Sequence, residues 1–469
     1  MSPVTRSLVL AVAAIGFLFD TYELLMLPVI GTSALSDLLG VPPDDPKVRE
    51  WIGRILWIAA LAGGIFGLLG GWMIDRFGRK RIMVLSILAY SLSPLAAAFS
   101  TELWQFVLFR CTTFIGVCVE LVAAVTWLAE LFEDKRTRER AITWSLAAAS
   151  LGGLLVTVVD GWLAANAASF PAIPTAPEAS AHAPWRYTLI SGLVPGALIL
   201  LLMPFVPESH AWAARKAAGT LKRPSFGELF SPELRRTTLV TTILSACGYA
   251  AAFGALQVTP SQVILARSEI AEPRAEAAKL EKTAQTDADR AAVKAKRKEA
   301  RDAQESRKTS IQFWQEIGGL FGRVALALLV GALATRLLLR IFLVPGIILF
   351  PLTYTQLPTG DFTLFATAIF FCGLLTVAQF SYLSEFLPKV FPVHLRGTGG
   401  SFATNVGGRM LGTMAAPLNT VFLSELLGGG PKGVAMAAAV IGGAVFLIAF
   451  VASFFLPTPQ HEELPPGGG

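Results

Sequence analysis

Four ionisable side chains lie inside stretches of the chain that are otherwise apolar. Asp20 and Glu23 are three residues apart in the run GFLFDTYE, so both lie on one face of a helix. Arg110 and Glu120 follow in a later apolar stretch. A carboxylate beside an arginine stays ionised, and it takes up a proton when the two groups separate. Because no histidine lies in an apolar stretch, these carboxyl groups are the candidates for carrying protons.

A further arginine, Arg409, ends the run NVGGR, with Asn405 one turn before it. The neighbouring glycines leave room for a solute carboxylate at this arginine, and equally for a close-packed internal ion pair. Arg323 and Glu316 are seven residues apart on one helix face, and we expect them to join a structural or gating network. Polar side chains that would line a solute cavity with Arg409 and Asn405, or else pack between helices, are Trp144, Tyr249, Gln379 and Tyr382.

The composition places the chain in a lipid bilayer. Of its 469 residues, 54% are hydrophobic and 15% are charged, against roughly 25% charged in a soluble domain. The cations cluster at the ends of apolar runs, so nucleic acid is not an expected partner, and the four cysteines are expected to be small buried hydrophobes. The sequence shows no phosphate-binding glycine loop, metal-ligand cluster or nucleophile beside a base, so we expect neither an enzyme nor a cofactor. The first apolar run is too long for a signal-peptide core and is expected to remain as a membrane helix.

Twelve stretches are long enough to cross a bilayer, which predicts an all-α membrane protein. Lysine and arginine concentrate in every second loop, so these loops and both termini are expected in the cytoplasm. The stretches are 7–30, 51–74, 82–99, 103–131, 141–164, 187–206, 237–258, 311–334, 341–357, 362–386, 397–423 and 434–456.

The twelve stretches divide into two halves of six, which weak repeats such as 71–80 and 331–340 relate to each other. The predicted parts are an amino-terminal bundle, a basic cytoplasmic linker, a carboxy-terminal bundle and a tail, at 1–206, 207–236, 237–456 and 457–469.

A charged insert at 266–310 interrupts the second half and has almost no large apolar residues. Its Ala, Lys, Glu and Arg residues favour helix. We expect two solvated helical arms that continue helices seven and eight outside the membrane, with a break at 284–285 and a helix cap at Thr286. The arms are expected either to extend the fold or to act as a lid or a docking surface for a partner.

Short charged motifs follow the apolar stretches on the predicted cytoplasmic side. The run GGWMIDRFGRKR at 70–81 resembles the loop between the second and third helices of the major facilitator superfamily. Runs at 130–138, 207–212 and 385–399 resemble the sugar-porter and metabolite–proton symporter branch of that superfamily. We expect these motifs to form a gate whose opposite charges pair when the inner side is closed. The expected gate residues are Gly71, Asp75, Arg76, Gly78, Arg79, Glu130, Arg138, Glu208, Glu385 and Arg396.

The resemblance implies two pseudo-symmetric six-helix bundles that rock around a solute site midway between them. It also implies that Asp20 and Arg110 form a proton-coupling pair. Glu23 and Glu120, which lie in the same two apolar stretches, are further candidates for proton coupling. We therefore expect a proton-coupled symporter of the inner membrane, whose partners are protons, the bilayer and a small polar solute. That solute is an organic acid, or a sugar or polyol; the paired glutamines of sugar porters are missing from helix seven, which has only Gln257.

Two other functions stay open. A proton-driven exporter of amphiphilic compounds would use the same fold, although the fifth helix has Gly152-Gly153 without the proline that exporters of the superfamily often show. A transporter-like sensor would instead use the external arms as its working surface.

Overall fold

The computed structural model of the protein describes residues 3–41, 46–132, 134–220, 224–257, 259–283, 285–330, 332–356 and 358–457. Across these residues the chain is helical apart from turns and loops, and they contain no strand. Three predicted features lie outside the described residues: the break at 284, the start of the second repeat at 331, and the tail from 458 onward.

The amino-terminal half supplies six membrane-spanning segments. Its helices are apolar because the backbone groups of a spanning segment must pair within the segment, leaving only side chains to face lipid. They are α1 (Pro3–Leu39), α2 (Pro46–Phe77), α3 (Arg79–Ala98), α4 (Leu103–Leu131), α5 (Lys135–Ala147) with α6 (Ala149–Asn166), and α7 (Pro184–Ser191) with α8 (Leu193–Leu202). The connecting stretch holds α9 (His210–Ala217) and a 3-10 turn at Gly227–Phe230.

The carboxy-terminal half contains several departures from regular α-helix. Its α-helices are α10 (Arg235–Ala251), α11 (Thr259–Val263), α12 (Ser268–Thr283), α13 (Asp287–Leu329), α14 (Thr335–Gln356), α15 (Phe362–Val390), α16 (Arg396–Ser401), α17 (Ala415–Pro417), α18 (Ser424–Leu426) and α19 (Gly430–Ser453). Wider π-helical turns lie at Ala252–Leu256, Phe402–Leu411 and Leu418–Leu423. Such turns are rare and occur often at functional sites.

Ten segments of the described chain are long and apolar enough to cross a membrane. Two further segments complete the expected twelve. One is the carboxy-terminal part of α13, whose hydropathy is lowered by Gln315, Glu316 and Arg323. The other is 396–426, where α, π and 3-10 turns alternate. The predicted twelve-helix fold in two bundles is confirmed.

Each half has its own apolar core. The buried clusters of the first half are built from residues between 9 and 206. The clusters of the second half are built from residues between 229 and 456. Among the described residues, no buried cluster mixes side chains from the two halves. The halves are therefore packed as separate units that meet at polar and glycine-rich contacts.

The charged insert forms a helical hairpin from α12 and the first part of α13. Small and branched residues, Ile270, Ala277, Val293 and Ala300, are buried where the two helices pack together. Thr286 caps α13 with a reciprocal bond to Asp289, as the sequence predicts. Beyond the hairpin, α13 continues without interruption into the membrane, so the second arm of the hairpin and the eighth span are one helix.

Candidate functional site

A cavity of about 200 Å³ lies between the two halves. Both halves contribute to its wall, which is mostly aromatic and aliphatic with a few polar groups. Its charged wall residues are Asp20, Glu316, Arg323 and Arg409, and its aromatic wall residues are Phe17, Phe114, Tyr249, Phe253 and Phe380. Apolar pockets with a small number of convergent polar groups are typical of small-molecule sites.

Asp20 faces this cavity from α1 and is 7% exposed. Neither of its carboxylate oxygens has a hydrogen-bond donor among the described residues. The side chain within hydrogen-bonding reach is the carboxyl group of Glu120 on α4. Two ionised carboxylates have no donor between them. A hydrogen bond between the two side chains therefore requires a proton on one of them, and the proton-carrying role of Asp20 and Glu120 stays a prediction.

Arg110 lies beside Glu23 and not beside Asp20. Its Nη2 donates a hydrogen bond of 3.2 Å to the backbone carbonyl of Glu23, and Glu23 is its charged neighbour. The expected pair of Asp20 with Arg110 is therefore wrong for this structure. The reason is the register of two antiparallel helices, α1 and α4. The later acidic residue of α1 meets the earlier charged residue of α4, and Asp20 meets Glu120.

Arg409 is the arginine that neighbours Asp20. It lies in the π-helical turn Phe402–Leu411, with its guanidinium over the rings of Phe114 (5.8 Å) and Tyr249 (6.0 Å). Its Nη1 donates a hydrogen bond of 2.5 Å to Oδ1 of Asn405. A cation held against aromatic faces in a closed cavity is a strong site for a carboxylate.

Asn405 positions Arg409 and does not itself line the cavity. Its Nδ2 donates to Oγ of Ser401 (2.8 Å), and Ser401 donates to the carbonyl of Gly67 on α2 (2.6 Å). These buried bonds run from the cavity to the contact between the halves. Three successive hydrogen bonds therefore connect Arg409 to α2.

Three of the predicted cavity residues lie elsewhere. Trp144 is 48% exposed on the outside of the bundle. Gln379 is buried and bonds the carbonyl of Leu375 one turn away on α15. Tyr382 is buried with its ring stacked on Phe386, 5.5 Å between centroids. Their assignment to the cavity wall is wrong, because helix rotation decides which polar side chains face inward. Tyr249 does lie in the wall, and its role there stays a prediction.

A second cavity of about 190 Å³ adjoins the first. The two share wall residues including Leu24, Phe114 and Gln257. The second cavity reaches Ser261 and Lys308 at the base of the hairpin. The first cavity is therefore approached from the side of the hairpin, which we call the hairpin side. We call the opposite side, where the charged sequence motifs lie, the motif side.

An ion-pair network closes the motif side. We call it the inner charge cluster, and its members are Asp75, Arg79, Glu130, Glu208 and Arg396. Arg79 is fully buried and donates two hydrogen bonds of 2.9 Å to the two carboxylate oxygens of Glu130. Its ion pair with Asp75 measures 3.2 Å. Arg396 from the second half lies 3.6 Å from Glu130. Bidentate pairs of this kind are among the stronger ones in proteins.

The cluster also ties the two halves together through the backbone. Asp75 accepts hydrogen bonds from the N–H groups of Gly397 (3.1 Å) and Thr398 (2.7 Å) at the start of α16. Arg79 donates a bond of 2.8 Å to the carbonyl of Val393. Gly71 lies directly against α16, since a Cβ there would come within 2.6 Å of the Gly397 carbonyl oxygen. Only glycine allows this approach.

Glu208 caps the helix that follows the tight turn at Gly78. Its carboxylate accepts bonds from the N–H groups of Arg79 (3.2 Å) and Lys80 (3.1 Å), which begin α3. Gly78 has a φ of 106°, a conformation that residues with a side chain rarely adopt. Ser209 beside Glu208 donates a hydrogen bond to Glu130. The 207–212 motif thus holds the turn and the inner charge cluster in place.

Arg76 is outside the cluster, contrary to the prediction. It is exposed and stacks on the rings of Trp72 (4.9 Å) and Phe77 (5.5 Å). Because α2 continues to Phe77, Arg76 lies on the outer face of that helix. The chain reverses only at Gly78, and so the next arginine, Arg79, points inward.

Sequence reasoning missed a second buried ion pair between the halves. Lys389 on α15 lies 2.5 Å from Glu139 on α5 and also pairs with Glu385. Arg138 lines a small recess beside Glu385 and Lys389. The four-residue spacing of Glu385 and Lys389 was a readable signal, whereas nothing in the sequence marks Glu139 as their partner.

The comparisons agree with this architecture. A family model described as Major Facilitator Superfamily matches residues 9–268. This chain belongs to the major facilitator superfamily. The chain is 26% identical over 412 residues to the cis,cis-muconate transport protein of Acinetobacter baylyi, covering 86% of this chain and 84% of that protein. It is 24% identical over 221 residues to the arabinose-proton symporter of Bacillus subtilis, covering 45% and 44%.

Solved structures show the same fold. The proton:xylose symporter XylE bound to 6-bromo-6-deoxy-D-glucose matches with a TM-score of 0.65 at 17% identity, covering 97% of each chain. The transporter FucP in the outward conformation matches with a TM-score of 0.64 at 14% identity, covering 96% of this chain and 98% of that one. The protein is therefore a multi-pass integral membrane transporter. In the described part of the chain, no cluster of His, Cys, Asp or Glu could hold a metal ion.

Proposed function

We propose that this superfamily member is a symporter that couples proton entry to the uptake of a small organic anion across the inner membrane. The observation that supports this most is the presence of Arg409 and Asp20 in the wall of one cavity between the halves. An arginine over aromatic rings binds a carboxylate, and a buried acid without a donor binds a proton. A site with both groups binds an organic anion and a proton together.

The two binding events share one positive charge. Arg409 is the cation whose charge acts on Asp20. A solute carboxylate that binds Arg409 neutralises this charge, and Asp20 then holds its proton, shared with Glu120. Solute and proton each strengthen the binding of the other, which is the energetic requirement for coupled transport.

The conformational cycle follows from the two sides of the site. The cavity is reached from the hairpin side while the inner charge cluster and the Lys389 pair lock the motif side. Rocking of the halves would separate these pairs into water and open the site on the motif side. The motif side carries the excess of lysine and arginine, so we place it, with both termini, in the cytoplasm.

Replacement of Arg409 tests the anion assignment. Arg409→Gln removes the charge and keeps a hydrogen-bond donor. We expect affinity for carboxylates to fall about 10- to 100-fold, the effect of losing one hydrogen bond to a charged group. Affinity for neutral solutes of the same size should not change. Binding by purified protein, followed by calorimetry, is the measurement.

The exposed cation Arg76, stacked on Trp72 away from the cavity, offers a matched control. Arg76→Gln should leave carboxylate binding unchanged. Equal losses for charged and neutral solutes in Arg409→Gln would show that Arg409 is structural. They would favour a sugar or polyol as solute, a candidate supported by the amide side chains of Gln257 and Gln315 in the cavity wall.

Removal of the hairpin separates a transporter from a sensor. Above its base the charged pairs of the hairpin, such as Lys296 with Glu276 (3.0 Å), join its own two helices and are partly exposed. Exposed pairs contribute little, so replacement of 268–308 by a short linker should change the uptake rate by less than about twofold. The measurement is uptake into proteoliposomes. Loss of uptake with the solute site still able to bind would support a working role for the hairpin.

A further inference from the structure

The solute cavity contains a second arginine that the proposed function does not use. Arg323 lies on α13 and lines the same cavity as Arg409. Its Nη1 donates a hydrogen bond to the carbonyl of Leu146 on α5. Its Nε is buried and has no partner among the described residues. A guanidinium has five donors, so this side chain retains capacity for a ligand.

The two arginines lie on segments that form different contacts between the halves. The segment that carries Arg409 packs against α2, and α13, which carries Arg323, packs against α5 and α6. A solute held by both side chains would therefore touch both contacts at once. Such a solute needs two anionic groups, one for each guanidinium.

The cavity that contains these groups has a mostly apolar wall. Rings of Phe17, Phe114, Phe253 and Phe380 line the cavity, and aromatic faces favour a planar unsaturated skeleton. The wall also contains the carboxyl group of Glu316, which is the charged neighbour of Arg323, as the sequence predicts, so Arg323 is free to match a solute anion only when Glu316 carries a proton. Once Asp20 and Glu316 are protonated, the two guanidinium charges match a dianion.

We propose that Arg323 and Arg409 hold the two ends of a dicarboxylate whose skeleton is flat and unsaturated or aromatic. The proposal rests on the proposed function, because Arg409 must first be a carboxylate site. Arg323 then selects dianions over monoanions. A monocarboxylate uses Arg409 alone, and Arg323 keeps its bond to the Leu146 carbonyl.

The test compares aromatic acids that differ by one carboxylate. Probes are benzoate, the three benzenedicarboxylates (phthalate, isophthalate and terephthalate), and the monomethyl ester of the isomer that binds best. We expect the wild-type protein to bind that isomer at least about tenfold tighter than benzoate. The affinity for its half-ester should be close to the affinity for benzoate. In Arg323→Gln, which keeps a donor for Leu146, the preference should disappear. Arg323→Lys should restore part of it.

Benzoate is the internal control for folding and for the first site. Its affinity in Arg323→Gln should stay within about twofold of wild type, since a monocarboxylate does not use this arginine. Equal loss of benzoate and dicarboxylate, or no preference for any dicarboxylate in wild type, overturns the proposal. If benzoate binding still depends on Arg409 in that case, the proposed function stands alone. If no carboxylate binds wild type, both fail.

Discussion

The Asp20→Asn variant is expected to lose uphill solute accumulation while it keeps solute exchange. Asparagine has the shape of aspartate but does not carry a transferable proton at this position. With an inward gradient of one pH unit, each coupled proton supports about tenfold accumulation in wild type. In the variant the proton gradient no longer drives the solute, which should move only down its own electrochemical gradient. Exchange needs solute binding at Arg409 and the rocking motion, and both are kept because asparagine is neutral, like protonated Asp20.

Accumulation and counterflow in proteoliposomes measure the two activities separately. Asp160→Asn is the matched control, because Asp160 is also a carboxylate within a membrane helix but accepts a bond of 2.7 Å from Thr188 outside the cavity wall. It should accumulate solute as wild type does. Undiminished accumulation by Asp20→Asn would refute the coupling role. Loss of exchange together with accumulation would instead assign Asp20 to solute binding or folding.

The fold was predictable because the length of an apolar run and the position of charged residues determine the structure of that segment by themselves. An apolar run of about 20 residues must form a helix in lipid, and a basic loop must stay outside it. Both properties can be read without knowledge of neighbouring helices. The hairpin was predictable for the same reason, since its residues favour helix and include almost no large apolar side chains.

The contacts within the site depend on how helices are rotated and aligned, which the sequence does not show. Asp20 and Glu23 share a face, yet only the antiparallel register of α1 and α4 decides that Arg110 meets Glu23. The order of the spans does show that helices one and four run in opposite directions, so the antiparallel order of the contacts could have been anticipated. The rotation that turns Trp144 outward and Arg323 inward follows from packing across the whole bundle. No spacing in the sequence shows it.

The Arg79→Gln variant is expected to open the motif side. Its carboxylate partners Glu130 and Asp75 are buried in this closed state, and glutamine removes the cation beside Asp75 and leaves Glu130 with the more distant Arg396. Breaking a buried pair from one side costs about 3–5 kcal/mol. Rocking would expose both carboxylates to water, so the cost falls mainly on the closed state. The equilibrium between the closed and the open motif side should shift toward the open state by about two to three powers of ten, a shift as large as a strong ligand causes in a two-state protein.

A reporter cysteine at Ser384, in a variant lacking the four native cysteines, measures this shift. Ser384 lines the cavity near its inner end. A membrane-impermeant maleimide added on the motif side should label it more than about tenfold faster in Arg79→Gln than with Arg79 intact, because labelling follows the open population. Arg76→Gln, with its cation exposed, should label at the original rate.

The double variant Arg79→Gln/Glu130→Gln distinguishes the charge explanation from simple loss of packing. With Glu130 neutral, less uncompensated charge remains in the closed state, so labelling should slow again toward the rate seen with Arg79 intact. If Arg79→Gln acted through lost packing, the second substitution would add to the packing defect, and the double variant would label fastest of all. Unchanged labelling in Arg79→Gln would show that the Lys389 pair and the Gly71 contact hold the motif side closed without the inner charge cluster.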